Sequence, residues 1–204
     1  MATWLTADWH LGETRLELLG RPFETPRQML NHLVKEHNKV IRPDDDVIVV
    51  GDAVVTAKSL KDIAKFNGRK TLIRGNHDRG YSDEILLQYF ERIIPEGEGI
   101  EITYDCIPLY ITHYPTRGRK EKFNIVGHTH SAWKVQKNML NVGIDVHHNR
   151  PVPLSKIPFF YKAICGFYDL DVWVGDNEIN AFPNRGKQSV YFEQQSNLPL
   201  APWE

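Results

Sequence analysis

Cysteine is scarce in this chain: only Cys106 and Cys165 occur among 204 residues. Two thiols cannot build a disulfide framework and they show no paired metal-ligand spacing, so the sequence suits a reducing compartment. Both are expected as small buried hydrophobes. Net charge is lacking too. Lys and Arg number 25 against 26 Asp and Glu, a formal charge of -1, so no overall field draws in a polyanion, and clamping of long nucleic acid is disfavoured. No apolar run is long enough to span a bilayer, and Met1 to Asp8 has neither the basic start nor the apolar stretch of a signal peptide. A cytoplasmic protein without a membrane partner is expected. What remains, 41% hydrophobic and 25% charged residues, is enough for one domain with a sizeable core, and nothing suggests disorder.

Taken in order, apolar runs end repeatedly in polar clusters. Thr3 to Ala7 reads as a buried strand running into Asp8-Trp9-His10, whose first and last side chains share a face in extended chain. Thr25 and Pro26 open a helix to about Ile41, carried by Met29, Leu30, Leu33, Val34, Val40 and Ile41. His32 and His37 on it read as solvated or packing residues, and Asp44-Asp45-Asp46 as a solvated turn. Val47 to Val50 is a continuous β-branched run, the mark of a strand covered on both faces, ending in Gly51-Asp52. Ser59 opens a short helix to about Phe66. Lys70 to Arg74 is a strand ending in Gly75-Asn76-His77-Asp78, followed by a helix from Ser82 to about Phe90. Further strands at Ile100–Tyr104, Leu109–Thr112, Phe123–Val126 and Met139–Gly143 lead to His113-Tyr114-Pro115, to Gly127-His128-Thr129-His130, and to Asp145, His147 and His148. The last three, in a Pro-rich exit loop, read as structural. From Pro158 onward the composition turns to aromatic short-strand material (Phe159, Phe160, Tyr161, Phe167, Tyr168, Trp173 and Val190 to Phe192), with a Pro-rich tail over 198–203. The alternation of strand and helix predicts a layered α/β domain with ligands bound at the carboxyl ends of strands.

Each cluster alone is an ordinary turn. Together Asp8, His10, Asp52, Asn76, His77, His113, His128 and His130 all follow strand-like runs, which points to a metal site. Imidazole with carboxylate and no thiolate favours borderline first-row ions, with Mn first and Fe, Ni or Zn next. Leaving His77 aside, seven donors exceed one ion, whereas two ions sharing Asp52 would use them all.

At this point the set resembles that of the calcineurin-like metallophosphoesterases, and specifically their small bacterial and phage-type members, over residues 1 to 157. The resemblance implies a four-layer α-β-β-α sandwich with a two-metal centre at the strand mouths; residues 158–204, outside it, are expected from their composition to form a short β-rich extension packed on the core. It implies Asp8, His10, Asp52 and His130 on one ion, and Asp52, Asn76, His113 and His128 on the other. His77 would be a catalytic general acid beside the metals and Asp78 would orient it. Two such ions acidify a shared water for attack on phosphorus and neutralise the phosphoryl oxygens. One departure stands out: many members carry a polar residue shortly after the second motif, where this chain has Ala53-Val54-Val55.

For substrate, Arg15, Arg21, Arg74, Arg117 and Arg119 are candidate phosphate cations, and Tyr114, Trp9 and Trp133 are candidate platforms for a base. The expectation is a phosphomonoesterase acting on nucleotides or other small phosphorylated metabolites. The alternatives are a phosphodiesterase on cyclic nucleotides or short nucleic acid, and a non-catalytic metal-bound interaction module.

Overall fold

The structure is a computed structural model that describes residues 1–167. Ten strands follow one another: β1 (Thr3–Thr6), β2 (Asp46–Val49), β3 (Arg69–Ile73), β4 (Arg92–Ile94), β5 (Gly99–Tyr104), β6 (Ile107–Thr112), β7 (Phe123–Val126), β8 (Val135–Gln136), β9 (Met139–Asn141) and β10 (Val152–Pro153). Three α-helices join them, α1 (Pro26–Asn38), α2 (Asp83–Leu86) and α3 (Ile157–Phe167). One sheet has the order β10-β1-β2-β3-β4 and the other β5-β6-β7-β9-β8. In the first, β1 to β4 are parallel and β10 is antiparallel to β1. In the second, β6, β7 and β9 are parallel, with β5 and β8 as antiparallel edges.

The two-sided apolar run of β2 explains the layering. Val47 and Val49 enter a core shared with Met29, Leu30 and Leu33 of α1, while Ile48 and Val50 join a second core with Leu109 and Ile111 of β6, Ile125 of β7 and Leu140 of β9. Helix therefore lies on one face of the first sheet and the second sheet on the other, an α/β sandwich. At their carboxyl ends the sheets meet: Ala7 bridges Gly143, and Ile144 N–H donates to Ala7 O at 3.2 Å.

Helix boundaries shift for local reasons. The Thr25 hydroxyl accepts from Gln28 N–H as a cap should, but α1 stops at Asn38, short of Ile41, because the Asn38 side chain is tied to Lys65 O and Asn67 N–H. The Ser59 helix runs from Ala57 to Lys65 in the tighter 3-10 form. Helix α2 ends at Leu86 instead of Phe90. Its continuation is a series of turns that bury Leu86 and Phe90 and bring Glu91 N–H onto Lys70 O, which starts β4 against β3.

Three expectations are corrected. The aromatic segment from Pro158 is helical as far as it is described: Ile157 and Ile164, seven apart, are buried in the inter-sheet core with Phe160 and Tyr161 against it. The expected strand residues Tyr168, Trp173 and Val190 to Phe192, and the tail, lie outside the described residues. Both cysteines are exposed, not buried. Cys106 sits at the tip of the β5–β6 hairpin, where Asp105 and Cys106 both take positive φ in a two-residue turn. Asp45 is no solvated turn residue: it is buried and accepts from Ala2 N–H, Trp4 Nε1 and Arg42 N–H. Among the described residues no helix is long and apolar enough to cross a membrane.

Candidate metal centre

The carboxyl ends of β1, β2, β3, β6 and β7 deliver the polar clusters to one place. Past the strands the first two loops run side by side, Asp8 N–H donating to Gly51 O and His10 N–H to Asp52 O, both at 3.0 Å. Three groups of donor atoms result, each within 4.8 Å of one another: Asp8 with His10 and His130, Asp52 with His113 and His128, and His10 with Asp52 and His77. Asp52 joins them. Its Oδ2 lies 3.5 Å from His10 Nε2 and 3.5 Å from His113 Nε2, while its Oδ1 accepts the backbone N–H of His77 at 2.9 Å. Two groups bound to one ion at about 2.0–2.2 Å each stand roughly 3–3.5 Å apart. One carboxylate oxygen therefore faces an imidazole of each expected ion.

The interior of this cluster is short of hydrogen bonds. Both ring nitrogens of His10, Oδ1 of Asn76 and Nε2 of His113 are buried without a partner, four of the five such atoms among the described residues. Buried polar atoms are normally paired; here Nε2 of His10 and Nε2 of His113 face the same Asp52 oxygen, and Asn76 Oδ1 adds an unpartnered neutral oxygen from the neighbouring turn. Burial also strains the charges, pushing the Asp8 carboxyl up to about 7 and the His10 imidazole below its usual value. Burial acts on Asp52 in the same sense as on Asp8, but the imidazoles of His10 and His113 outweigh it and hold Asp52 below the usual carboxylate range. The backbone is strained as well: Asp8, His10, Asp52, His128 and His130 all have φ between 47° and 74°, a region non-glycine residues rarely occupy.

The calcineurin-like phosphoesterase family matches residues 1–175. The chain belongs to this family. The match passes the boundary expected at residue 157 and takes in α3. An uncharacterized Methanocaldococcus jannaschii protein, MJ1445, is 25% identical over 169 residues, 76% of this chain and 88% of its own. A protein of unknown function from Aquifex aeolicus, AQ665, shares the fold with a TM-score of 0.63 at 18% identity, covering 78% of this chain and 98% of that one. A solved archaeal phosphodiesterase aligns more loosely, with a TM-score of 0.42 and 20% identity over 76% of this chain and 100% of its own. Metal-dependent phosphoester hydrolysis is the chemistry of the family, and the unpartnered donors fit the divalent ions it implies.

Within this phosphoesterase Asp78, expected to orient His77, is bonded to the backbone. Its buried carboxylate accepts four backbone N–H groups, from Asp52 (2.8 Å), Ala53 (3.0 Å), Val54 (3.4 Å) and Gly75 (3.0 Å). No hydrogen bond to the His77 ring occurs among the described residues. Asp78 fastens the Asp52 loop to the Gly75 turn, and His77 is placed instead by its own N–H on Asp52. This also accounts for Ala53-Val54-Val55: the segment serves through its backbone, with Val54 bridged to Leu11 and Val55 N–H on Leu11 O. The packing is tight enough that a Cβ on Gly75 would stand 2.8 Å from His113 Nε2 and closer still to Asp52 Oδ1. Gly75→Ala should therefore push the Asp52 carboxylate aside. Metal content after dialysis against trace Mn²⁺ is expected to fall at least about tenfold, and unchanged content would show that the turn yields.

Two groups were given other parts by the sequence. Asp145, read as structural, accepts from the ring of His130 (Nδ1, 3.0 Å) and from Arg21 (Nε 2.7 Å, Nη2 3.0 Å). Arg21, read as a phosphate cation, is buried in that pair. The partners are 124 and 15 residues apart, so spacing gave no signal.

At the rim Tyr114 lies edge-on to His113 and His128, with ring centroids at 4.8 and 4.9 Å, and its hydroxyl donates to Glu96 at 2.5 Å. Trp9 is no platform for a base, being buried against Phe66. Arg15 pairs with Glu13, Arg74 with Asp83 and Arg119 with Glu101. Arg117 is exposed, and its side chain has no ion pair or hydrogen bond among the described residues.

Proposed function

We propose that the chain is a dinuclear-metal phosphohydrolase that releases phosphate from small phosphorylated molecules, nucleotides first. The observation that carries this reading is the Asp52 carboxylate placed between His10 and His113, in a cluster where the Nε2 atoms of both rings and Oδ1 of Asn76 are buried without a hydrogen-bond partner. Asp8, His10, Asp52 and His130 would hold one ion, and Asp52, Asn76, His113 and His128 the other. When bound, the ions supply Lewis acidity toward the phosphoryl oxygens and toward water; Mn²⁺ is the first choice, with Fe, Ni or Zn next.

The remaining steps belong to the chain. Asn76 contributes oxygen without charge, so it adds no repulsion toward an anionic substrate. His77 is half-buried on the open side of the cluster, 4.6 Å from the His10 ring, and can give a proton to a leaving alkoxide. Arg117 is the cation left for the phosphate or its surroundings, and Tyr114 the surface for the organic part. Arg119, tied to Glu101 and lying over the Tyr110 ring, is the weaker candidate. Two unpaired cysteines suit a reducing compartment, and we place the protein in the cytoplasm.

A second reading, phosphodiester hydrolysis, is favoured by the same rim. With every candidate cation except Arg117 neutralised by a carboxylate, little is left to hold a dianionic monoester, whereas a diester carries a single charge. Protein stripped of metal and refilled with Mn²⁺ should hydrolyse p-nitrophenyl phosphate faster than bis-p-nitrophenyl phosphate if the first reading holds. The reverse order moves the second into its place, and cleavage of neither would leave a metal-bound interaction module.

A further inference from the structure

The two expected ions have unlike surroundings. On the Asp8, His10 and His130 side, the His130 Nδ1 faces a buried carboxylate, Asp145 Oδ2, at 3.0 Å. That carboxylate is clamped by Arg21, whose Nη2 donates to Asp8 O at 2.5 Å and whose Nη1 donates to Trp9 O at 3.0 Å. The guanidinium thus fastens the backbone of the first ligand loop and, through Asp145, the ring of the last ligand. Both side chains are buried, Arg21 2% and Asp145 5% exposed. On the other side, His113 Nδ1 meets only a backbone carbonyl, Val50 O, at 2.8 Å, and His128 is exposed, with only its backbone N–H donating to Asp8.

We propose that Arg21 and Asp145 are positioning residues that make the Asp8–His10–His130 site the tighter of the two, leaving the His113–His128 site to exchange its ion. The inference rests on the dinuclear reading above. A carboxylate behind an imidazole fixes the tautomer that turns Nε2 toward the ion and raises its basicity, and losing such a partner typically costs about 10- to 100-fold in metal affinity. A neutral carbonyl fixes the tautomer but adds less basicity. Arg21 has a second effect: it keeps Asp145 in place and, through the carbonyls of Asp8 and Trp9, holds the loop in which Asp8 and His10 take positive φ, so the site forms without rearrangement.

The test is calorimetric titration of Mn²⁺ into the metal-free full-length chain, with the spin-resonance spectrum recorded at one and two equivalents. The wild type should bind two ions in separate steps, the first equivalent giving the isolated-ion spectrum and the second a coupled one. Asp145→Asn keeps the shape of the side chain but removes one acceptor oxygen. It should weaken the first step about 10- to 100-fold and leave the second within a few fold, so that the steps merge and coupled spectrum appears at the first equivalent. Arg21→Leu with Asp145→Leu removes both buried charges together; it should show the same merger, and its metal-free melting curve shows whether it folds. Two separate steps of unchanged affinity in folded Asp145→Asn, or equal weakening of both steps, would overturn the proposal. A wild type that binds fewer than two ions would refute the dinuclear reading itself, which is a distinguishable result.

Discussion

Asp52→Asn should leave both ions weakly held, with phosphoester hydrolysis down about 10³-fold or more, in a protein that still folds. The argument is atomic. Oδ1 of Asp52 accepts His77 N–H, and an asparagine oxygen keeps that bond. Oδ2, 3.5 Å from both His10 Nε2 and His113 Nε2, becomes an amide nitrogen whose hydrogens face the two imidazoles. The substitution satisfies donors that the wild type leaves for metal, so the metal-free protein should melt no lower than before, while each site loses its shared anion. Outer partners of metal ligands already contribute about 10- to 100-fold, and a direct shared ligand should exceed that at both sites, taking with it the charge stabilisation on which the rate depends. Elemental analysis and a denaturation curve on one preparation decide it. Two ions per chain after dialysis, with full activity, would rule out the shared position.

His77→Ala should slow hydrolysis about 10²- to 10⁴-fold with metal content unchanged. Geometry alone places a His77 nitrogen within reach of His10 and Asp52 donors, so a ligand role is the competing account. Two readouts separate them. A proton donor matters most when the leaving group is a basic alkoxide, so the loss should be large on an alkyl phosphate and small on p-nitrophenyl phosphate, whose phenolate departs without help. A ligand would show equal losses on both substrates together with missing metal.

What the sequence revealed was what is encoded locally. Val47 to Val50 is apolar on both faces because both faces are covered, so its strand and the position of Asp52 just beyond it could be read directly. Phe123, Ile125 and Val126 marked the strand before His128 and His130 in a similar way, although Asn124 interrupts its apolar run. Arg92–Ile94 could not be read, since three residues carry no period and the strand exists because Lys70 O receives Glu91 N–H. The aromatic stretch after Pro158 misled because Phe, Tyr and Ile favour strands in isolation. The seven-residue spacing of Ile157 and Ile164 against a preformed core is what makes it helical. Asp78 and Asp145 show the same limit in the site. Asp78 follows His77 and Asp145 follows the Met139–Gly143 run, and both act on partners brought near only by the fold: the Asp52 loop for the first, Arg21 and His130 for the second.

The central claim, that one carboxylate joins two ions whose joint action hydrolyses phosphoesters, is tested most directly by adding Mn²⁺ stepwise to metal-stripped protein while following hydrolysis of both p-nitrophenyl esters. The account predicts little activity at one equivalent, a steep rise to a plateau at two, and the same stoichiometry for whichever ester is cleaved faster. Full activity at one equivalent, or a plateau in binding there, would contradict it.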